Sequence, residues 1–569
     1  MKTLFDERIE SNCFIGNYIW NLKYRYKLFD DRIQDLVIED TWNRIATSLS
    51  SVETDKKYWH RQFYNALEDF KLIPAGRIIA GAGTNRNVTL INTFLMGKIQ
   101  DDLHEIFKSL SESGQTMRQG GGIGCDFSSV RPRGIEIKGV GKSAAGPLPF
   151  MDMWNQMCQT ITEGGVNRGA MMAMLRCDHP DIEEFIESKK KNNRLNRFNI
   201  SVLVTDEFMQ AVATKSKWSL KFNQTTFKTV DASSLWDKIM ETTYEYAEPG
   251  VLFIDKINSK NKLSYCETIE GTNSCGEQPL PHYGSAPLAS INLTKLIENP
   301  FTSAARLNVD LFIELISVGI RFLDNTVTIS NYPLAAQKAE AQQKRRIGLG
   351  ITGLADALAM CGIKYGSEES LGVVERWLSI FQEASYFASA ELAESRGSFP
   401  FYKQNHFIES LHKLRLSNNI INIVEKMGMR NGTLNTIAPT GTSSLLAGNV
   451  SSGLEPIFKL SSRRRILTSV NHHDEVEIDD YAYKLYKTKR LEEKLPDFFI
   501  TADKLNPDQH LSMQAVAQKY IDASISKTIN CPTEISYEDF RNIYLKAYDL
   551  GCKGCTTYRA NSSLGYVMV

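Results

Sequence analysis

The feature that most constrains the fold is an alternation of short apolar runs with helical stretches from about residue 71 onward, punctuated by glycine. The apolar runs are of a β-forming type: FNISVLV, GVLFI, ASINL, IGLGITGL and NTIAPT. This alternation is typical of parallel strands joined by crossover helices. No internal repeat interrupts it. The sequence therefore predicts one large α/β domain over residues 71–569.

Two stretches favour helices. Residues 1–70 carry many charges and aromatic side chains in a pattern that fits amphipathic helices better than strands, so we predict a helical N-terminal region there. The clearest single helix runs from about Glu368 to Arg396, where apolar residues recur at helical spacing. Ser367 offers a cap at its start and Gly397 a stop after its end. The more polar span 460–525 is predicted to be an excursion from the domain.

Charge and composition exclude several classes of function. Acidic and basic residues balance at 66 each, so the protein has no net positive charge with which to bind a polyanion along an extended surface. The N-terminus lacks the apolar core of a signal peptide, and no apolar run is long enough to span a membrane. We expect a soluble, cytoplasmic protein that binds neither nucleic acid nor membranes. Cys552 and Cys555 are close together, but without a second such pair they are a weak zinc signal, and we predict no metal site.

The segment with the clearest chemistry is TNSCGEQPLP at 272–281. Cys275 is flanked two residues away on each side by the amide of Asn273 and the carboxylate of Glu277. Glycine and proline argue against a helix here, and an extended loop would bring the three side chains together. The pattern indicates a radical or nucleophilic cysteine. The alternative is a buried structural cysteine beside a surface glutamate.

A second segment favours anion binding. An apolar run ends at 438 and is followed by small hydroxyl residues that lead into a predicted helix: Pro439, Thr440, Gly441, Thr442, Ser443 and Ser444. Free backbone N–H groups at such a start, with hydroxyls beside them, bind phosphate without a lysine. The alternative is a simple helix cap.

Taken in chain order, these segments resemble the catalytic subunits of ribonucleotide reductases, most closely the adenosylcobalamin-dependent kind. NSCGEQPLP is similar to the finger loop of that family. The other matching segments include PAGRIIAGAGT, QGGGIGCDFSSVRPRG, KRRIGLGITGLADAL, APTGTSSLLAGNVSSGLEP and GCKGCTTYR, and the resemblance covers roughly residues 70–560. It implies a ten-stranded α/β barrel with Cys275 at the tip of a loop through its centre.

The resemblance also implies roles for the two segments. Cys275 would become a thiyl radical and abstract the 3′ hydrogen of a ribonucleotide. Glu277 would act as general base on the 3′ hydroxyl, and Asn273 would hydrogen-bond the 2′/3′ region while the 2′ hydroxyl leaves as water. The segment 439–444 would hold the substrate phosphates.

Regulation is implied by the same resemblance, in loops near residues 100–175. A nucleoside triphosphate effector would contact five residues: Asp101, Asp102, Leu103, Lys138 and Arg168. The glycine-rich stretch 163–169 is similar to the mobile loop that relays effector identity to the substrate base. We also expect a homodimer. From the residues alone, the charged members of this set are equally well explained as solvated surface charges.

The chain departs from the family at the reducing dithiol. One cysteine is replaced in Asn92-Thr93-Phe94 and the other in Ser285-Ala286-Pro287, and no cysteine lies between Cys13 and Cys125 or between Cys275 and Cys361. The usual thiol-to-disulfide step is therefore absent. We expect Thr93 and Ala286 to face each other across the substrate ribose. The Thr93 hydroxyl would bond the departing 2′ oxygen, and Ala286 would leave room for an external reductant such as formate or a thiol. Cys125 is the alternative electron source.

The radical source is expected to be adenosylcobalamin. Reductases that import a radical carry two adjacent tyrosines near the C-terminal strand, whereas the run here is CTTYR with Tyr558 alone. No radical-generating subunit is therefore expected. We expect no ATP-cone before residue 70 and no cysteine-bearing tail after Cys555. Two other functions remain open: a radical nucleotide enzyme that performs elimination or epimerisation, and a catalytically silent nucleotide-binding regulator.

Overall fold

The structure, a computed structural model, describes residues 11–30, 32–137, 139–163, 169–190, 194–469, 472–489 and 494–559. Two residues predicted to bind an effector, Lys138 and Arg168, lie outside these ranges. The α-helices are Ser11–Ile19, Ile38–Ser50, Lys56–Leu67, Gly76–Gly81, Leu103–Arg118, Pro147–Glu163, Ile182–Ile186, Asp206–Ala213, Ala232–Tyr246, Ile254–Ser259, Val309–Ile329, Ala335–Lys344, Leu354–Met360, Glu368–Arg396, Gln404–Lys413, Asn418–Met427, Gly441–Leu446, Tyr481–Lys489, Pro507–Gln518 and Tyr537–Asp549.

Ten strand segments form the central sheet structure. In chain order they are β1 (Thr93–Leu95), β2 (Gly122–Asp126), β3 (Met171–Arg176), β4 (Phe198–Val204), β5 (Gly250–Phe253), β6 (Leu288–Asn292), β7 (Gly348–Thr352), β8 (435–437, paired through single bridges), β9 (Thr528–Cys531) and β10 (Gly554–Arg559).

These segments pair as two parallel groups. One group is β1 to β5 in chain order. The other runs β10-β9-β8-β7-β6, in which β8 is joined to β7 by the bridge of Asn435 with Leu349. The bridge of Ile437 with Ile525 joins β8 to the residues just before β9. The groups meet antiparallel at β5 with β10, and again at the bridge between Phe94 and Ser285. When the isolated bridges are included, the pairings link the ten segments in a circular order (the ring), which is the order predicted for an α/β barrel, and the link from β1 runs through Ser285, just before β6.

Several further strands are not part of this ring. Leu72–Pro74 pairs antiparallel with β6. Four further antiparallel pairs are Glu136–Ile137 with Lys142–Ser143, Lys217–Phe222 with Thr225–Asp231, Ile297–Glu298 with Arg306–Leu307, and Ser461–Ser469 with His472–Asp479. The last pair is a long hairpin within the predicted excursion at 460–525.

The apolar runs of the sequence form the predicted strands. FNISVLV is β4 in full, ASINL covers β6 except for its first residue, Leu288, and IGLGITGL contains β7. Every residue of β6 and β7 is buried, which fits strands that have cover on both faces and explains why these runs are apolar without alternation. NTIAPT differs, because only its first residues pair and the rest enters a turn.

The predicted helices are also confirmed. The helix Glu368–Arg396 has the predicted bounds, the Ser367 hydroxyl accepts from the Ser370 amide, and Gly397 follows its last turn with φ +79°. The N-terminal helices pack against the barrel through the helix Val309–Ile329. Phe63 meets Phe322 edge to face at 5.5 Å, and the Glu53 carboxylate receives two 2.8 Å hydrogen bonds from Arg321. Across all the described ranges, no helix has the combined length and apolar character needed to cross a membrane.

Candidate active site

A tight loop, the finger loop (273–278), carries the predicted catalytic residues. Its stem is a short antiparallel pair of Gly271–Thr272 with Pro279–Leu280. The Asn273 side-chain oxygen accepts a hydrogen bond from the backbone N–H of Gln278 at 3.0 Å. The backbone N–H of Asn273 donates to the backbone carbonyl of Gln278 at 3.2 Å. The loop is therefore closed by its own end residues, which brings Asn273, Cys275 and Glu277 together as predicted.

The finger loop lies inside the ring, because it contacts both groups of strands. On one side, Asn199 of β4 donates to the Ser274 carbonyl at 2.9 Å. On the other side, the Glu277 carbonyl accepts from the Thr436 hydroxyl at 2.6 Å and from the Ser524 amide at 3.0 Å. Thr436 lies in β8, and Ser524 directly precedes its partner segment. Neither anchor of Glu277 is marked by a local sequence signal.

Cys275 is exposed, whereas its neighbours Asn273, Ser274 and Glu277 are buried. The thiol is nevertheless surrounded by protein, which raises its pKa to about 12, and the charge of Glu277 adds to the shift. A group that is accessible yet enclosed faces a recess. A methyl group placed on Gly276 would meet no heavy atom within 4 Å, so the open space continues beside the thiol.

The Glu277 carboxyl group has a pKa close to neutral pH. Burial raises its pKa from 4.5 to about 7, and the Asn273 side chain opposes part of that shift. A carboxyl group with a pKa near the working pH is suited to general acid–base chemistry. The Cys275 thiol beside it is the protonated form at neutral pH, which makes it a hydrogen-atom donor or acceptor more readily than a thiolate nucleophile.

Several buried polar atoms around the finger loop have no hydrogen-bond partner among the described residues. They are Asn92 Oδ1, Asn273 Nδ2, Glu277 Oε2, Gln278 Nε2 and Ser285 Oγ. Leaving such atoms unpaired costs roughly 1–3 kcal/mol each, so native proteins rarely concentrate them in one place. The cluster therefore makes the surroundings of the finger loop a candidate polar ligand site. Gln278 and Ser285 were not predicted, although Gln278 lies within the NSCGEQPLP segment.

Thr93 and Ala286 face each other, as expected for the two positions of the missing dithiol. The Thr93 hydroxyl donates to the Ala286 carbonyl, and the Ala286 amide donates to the Thr93 carbonyl. Both residues are fully buried. The hydroxyl proton of Thr93 is therefore engaged in a hydrogen bond within the protein, whereas we expected it to point to the substrate.

The hydroxyl segment after β8 forms a compact cluster. Thr440 Oγ1 lies 3.1 Å from Ser444 Oγ and 3.0 Å from Thr352 Oγ1. Thr440 has φ +47°, a left-handed conformation that is unfavourable for threonine and tends to persist at functional sites. The helix Gly441–Leu446 then begins, as predicted. Thr352, at the end of β7, was missed, because only the pairing of β7 with β8 brings it to this turn.

This hydroxyl cluster lies close to the finger loop. The Thr436 hydroxyl contacts Glu277, and Thr440 is four residue steps further along the chain, with three residues in between. Even a fully extended chain of that length spans at most about 14 Å. Thr440 therefore lies near Glu277, on the β8 side of the finger loop.

The described residues of the predicted effector site have structural partners. Asp101 is paired with Arg131 at 2.9 Å and also accepts from its amide. Asp102 caps the helix Leu103–Arg118 by accepting from the amides of His104 and Glu105. Leu103 is exposed. These contacts fix the start of the helix, and an effector role for these residues stays a prediction.

The other cysteines considered for chemistry are poorly placed for it. Cys125 is buried in β2, and burial raises its thiol pKa to about 12. Cys552 and Cys555 are buried as well. Within the described part of the chain, no three His, Cys, Asp or Glu side chains are grouped so as to hold a metal ion.

Comparison with known proteins matches both regions of the chain. The family profile described as ribonucleotide reductase, barrel domain, matches residues 91–558, and that described as ribonucleotide reductase, all-alpha domain, matches residues 15–87. A vitamin B12-dependent ribonucleoside-diphosphate reductase of Thermoplasma acidophilum is 33% identical over 94% of this chain and 69% of its own length.

Two further relatives extend the comparison. The vitamin B12-dependent ribonucleoside-diphosphate reductase of Mycobacterium tuberculosis is 34% identical over 96% of this chain and 79% of its own. A ribonucleoside-diphosphate reductase subunit alpha of Chlamydia muridarum is 27% identical over 99% of this chain and 61% of its own.

Proposed function

The chain belongs to the ribonucleotide reductase family, and from this premise we propose that it is an adenosylcobalamin-dependent reductase of ribonucleoside diphosphates. The observation that carries the proposal is the accessible Cys275 thiol in its recess, on a loop whose surroundings hold several buried polar atoms that lack a hydrogen-bond partner among the described residues. The names of the relatives favour diphosphates as substrates and cobalamin as the cofactor.

In the proposed reaction, a Cys275 thiyl radical takes the 3′ hydrogen atom of the ribose, and Glu277 accepts the proton of the 3′ hydroxyl. The 2′ hydroxyl leaves as water after it gains a proton. The proton held by Glu277 offsets the proton that the leaving water takes up. Two electrons and two protons, the second proton from solvent when formate is the reductant, then convert the 3′-keto radical to the 3′ radical of the deoxynucleotide, and Cys275 returns the hydrogen atom to C3′. A pKa of about 7 leaves Glu277 ionised often enough at neutral pH to act as the base.

The residues around Cys275 fit a bulky radical-generating cofactor. The thiol is exposed, and the empty space at Gly276 leaves its side of the loop uncovered. Cys275 and Gly276 would border the bound cofactor. Adenosylcobalamin supplies, when bound, the radical that oxidises the Cys275 thiol. The burial of the neighbouring loop residues shields this thiol from bulk water on its other sides.

The two electrons are proposed to come from outside the protein. Thr93 and Ala286 stand where a dithiol would be needed, and the buried Cys125 thiol is a poor donor. A small reductant such as formate or a free thiol would take the place of the dithiol. Formate would supply both electrons and leave as carbon dioxide, whereas two thiols would leave as a disulfide.

A second candidate function rests on the same replacement. If no reductant reaches the sugar radical after water has left, the intermediate would eliminate its base and phosphate instead of becoming a deoxynucleotide. Thr93 and Ala286 favour this outcome, because neither side chain supplies electrons. Effector binding near Asp101 and Asp102, and a homodimer, are further parts of the proposal that rest on the family resemblance.

The test is to incubate the protein with each ribonucleoside diphosphate, adenosylcobalamin and either dithiothreitol or formate. Chromatography would then separate deoxynucleotide from free base. We expect deoxynucleotide with at least one reductant. Free base alone would support the second candidate, and unchanged substrate throughout would overturn both. Cys275→Ser should be inactive and still bind substrate, whereas Cys361→Ser, at a partly buried cysteine outside the site, serves as the matched control.

A further inference from the structure

Strand β2 lacks side chains where the finger loop passes over it. A methyl group placed on Gly124 would lie 1.7 Å from the carbonyl oxygen of Thr272, which is closer than any real contact. One placed on Gly122 would lie 2.9 Å from the Ser274 hydroxyl and 2.8 Å from the carbonyl oxygen of Asn92. The ascending side of the loop therefore rests directly on the backbone of β2.

The opposite side of the loop meets a glycine of the other group of strands. A methyl group on Gly348, the first residue of β7, would lie 2.5 Å from Gln278 Nε2 and 2.4 Å from Leu288. Gln278 ends the finger loop. Because β2 and β7 belong to different halves of the ring, the loop is held from both sides at glycine positions.

Backbone conformation does not account for these glycines. None of Gly122, Gly124 and Gly348 has a positive φ, so any residue would adopt the same backbone angles. Glycine in a strand costs stability, because it loses more conformational freedom on folding and packs no side chain. What the three share is close approach to the finger loop. These glycines lower stability, but the absence of side chains leaves the space that the finger loop occupies.

We propose that Gly122, Gly124 and Gly348 form a socket that sets the depth of the finger loop and thereby the position of Cys275 in the recess. They are positioning residues, since each would act through its contact with the finger loop and not on the substrate. Any side chain at Gly124 would lift Thr272 and carry the loop with it. The inference rests on the proposed function for its effect on turnover, but its effect on the loop is independent of any reaction.

The experiment compares Gly124→Ala with Gly250→Ala. Gly250 lies in β5 of the same ring, and a methyl group there would meet the Ser201 hydroxyl at 3.0 Å and no residue of the finger loop. Displacing a reacting group by about 1 Å typically costs on the order of 100-fold in rate. We expect Gly124→Ala to lower kcat by about that factor, with KM and Tm close to those of Gly250→Ala.

A second readout needs no turnover. Hydrogen–deuterium exchange followed by mass spectrometry would report on the peptide 271–280. We expect faster exchange there in Gly124→Ala and the milder Gly122→Ala, and unchanged exchange in Gly250→Ala. If the wild-type protein proves inactive as a reductase, this measurement still decides whether the socket holds the loop.

Three outcomes would overturn the socket. The first is kcat and exchange in Gly124→Ala equal to those of Gly250→Ala. The second is a Gly124→Ala variant that exchanges at the same rate as Gly250→Ala and differs from it only in KM. The third is global unfolding of both Gly124→Ala and Gly122→Ala under conditions where Gly250→Ala stays folded, because these glycines would then serve the barrel itself.

Discussion

The Thr93 hydroxyl donates a 2.5 Å hydrogen bond to the Ala286 carbonyl, and the Ala286 amide returns one of 3.4 Å to the Thr93 carbonyl. The two residues adjoin the antiparallel bridge between Phe94 and Ser285. Facing residues in antiparallel strands have Cα atoms about 4.5–5.5 Å apart, which lies within the range of about 4.4–6.8 Å that a disulfide spans. The backbone of a redox-active pair is therefore present without its sulfur atoms.

Restoring the sulfur atoms should restore an internal electron source. We expect Thr93→Cys/Ala286→Cys to form one disulfide for each deoxynucleotide made when no reductant is added. Mass spectrometry of the peptides after a single turnover would show it. Either single variant should leave no disulfide at these positions. A double variant that turns over with both thiols still free would contradict the facing geometry.

Glu277 should impose a pH dependence on turnover. The base must be ionised, and burial raises its pKa to about 7. We therefore expect kcat/KM to rise about tenfold per pH unit below pH 7 and to level off above it. Initial rates between pH 5.5 and 8.5 at constant ionic strength would give the profile. A flat profile over this range would exclude Glu277 as the base in the rate-determining step.

The same shift predicts an effect on stability. A carboxyl group whose folded pKa is raised favours the folded state fully below its unfolded pKa of 4.5, and this contribution is lost as the pH rises to about 7. Glu277→Gln does not titrate. It should therefore gain stability relative to the wild type with rising pH, reaching on the order of 3 kcal/mol above pH 7.

Urea unfolding at pH 5.5 and pH 8.5 would measure that difference. The exposed Glu534→Gln is the matched control and should show no pH-dependent gain. A Glu277→Gln variant whose stability relative to the wild type does not rise between pH 5.5 and pH 8.5 would argue against the burial of a charge at this position.

Variants of Thr440 should show whether the segment 439–444 binds phosphate or only caps the following helix. The left-handed φ of +47° at Thr440 is unfavourable for threonine by on the order of 1 kcal/mol or more, whereas glycine adopts this conformation without that cost. We expect Thr440→Gly to keep or raise Tm while KM for the nucleotide rises about tenfold, the loss of roughly one hydrogen bond. Asn449→Gly, at φ +64° nearby, relieves similar strain and should leave KM unchanged. An unchanged KM in both variants would reduce the segment to a cap.

The sequence predicted the parts of the molecule that depend on local patterns. The helix Glu368–Arg396 was bounded correctly, because its cap and stop are encoded within a few residues of its ends. The strands β4, β6 and β7 were found because burial on both faces leaves a continuous apolar run. The finger-loop residues were found by their alternation around Cys275.

Contacts between distant segments were not predictable in the same way. Nothing near Thr352 indicates that its hydroxyl meets Thr440, since the contact depends on the pairing of β7 with β8. The anchoring of Glu277 by Thr436 and Ser524 likewise needs three segments of the ring to be in place. The engaged hydroxyl of Thr93 depends on the antiparallel meeting of the two halves.

The place of β10 in the ring has a consequence for synthesis on the ribosome. Strands β1 to β5 can pair in order as they emerge, but β5 waits for a neighbour that lies about 300 residues further along the chain. At translation rates of about 5–20 residues per second, that delay is on the order of 15–60 s. During this time β5 presents a bare sheet edge, which invites pairing with other nascent chains. Newly made protein should accordingly depend on chaperones, or on low expression temperature, until its last strand is released.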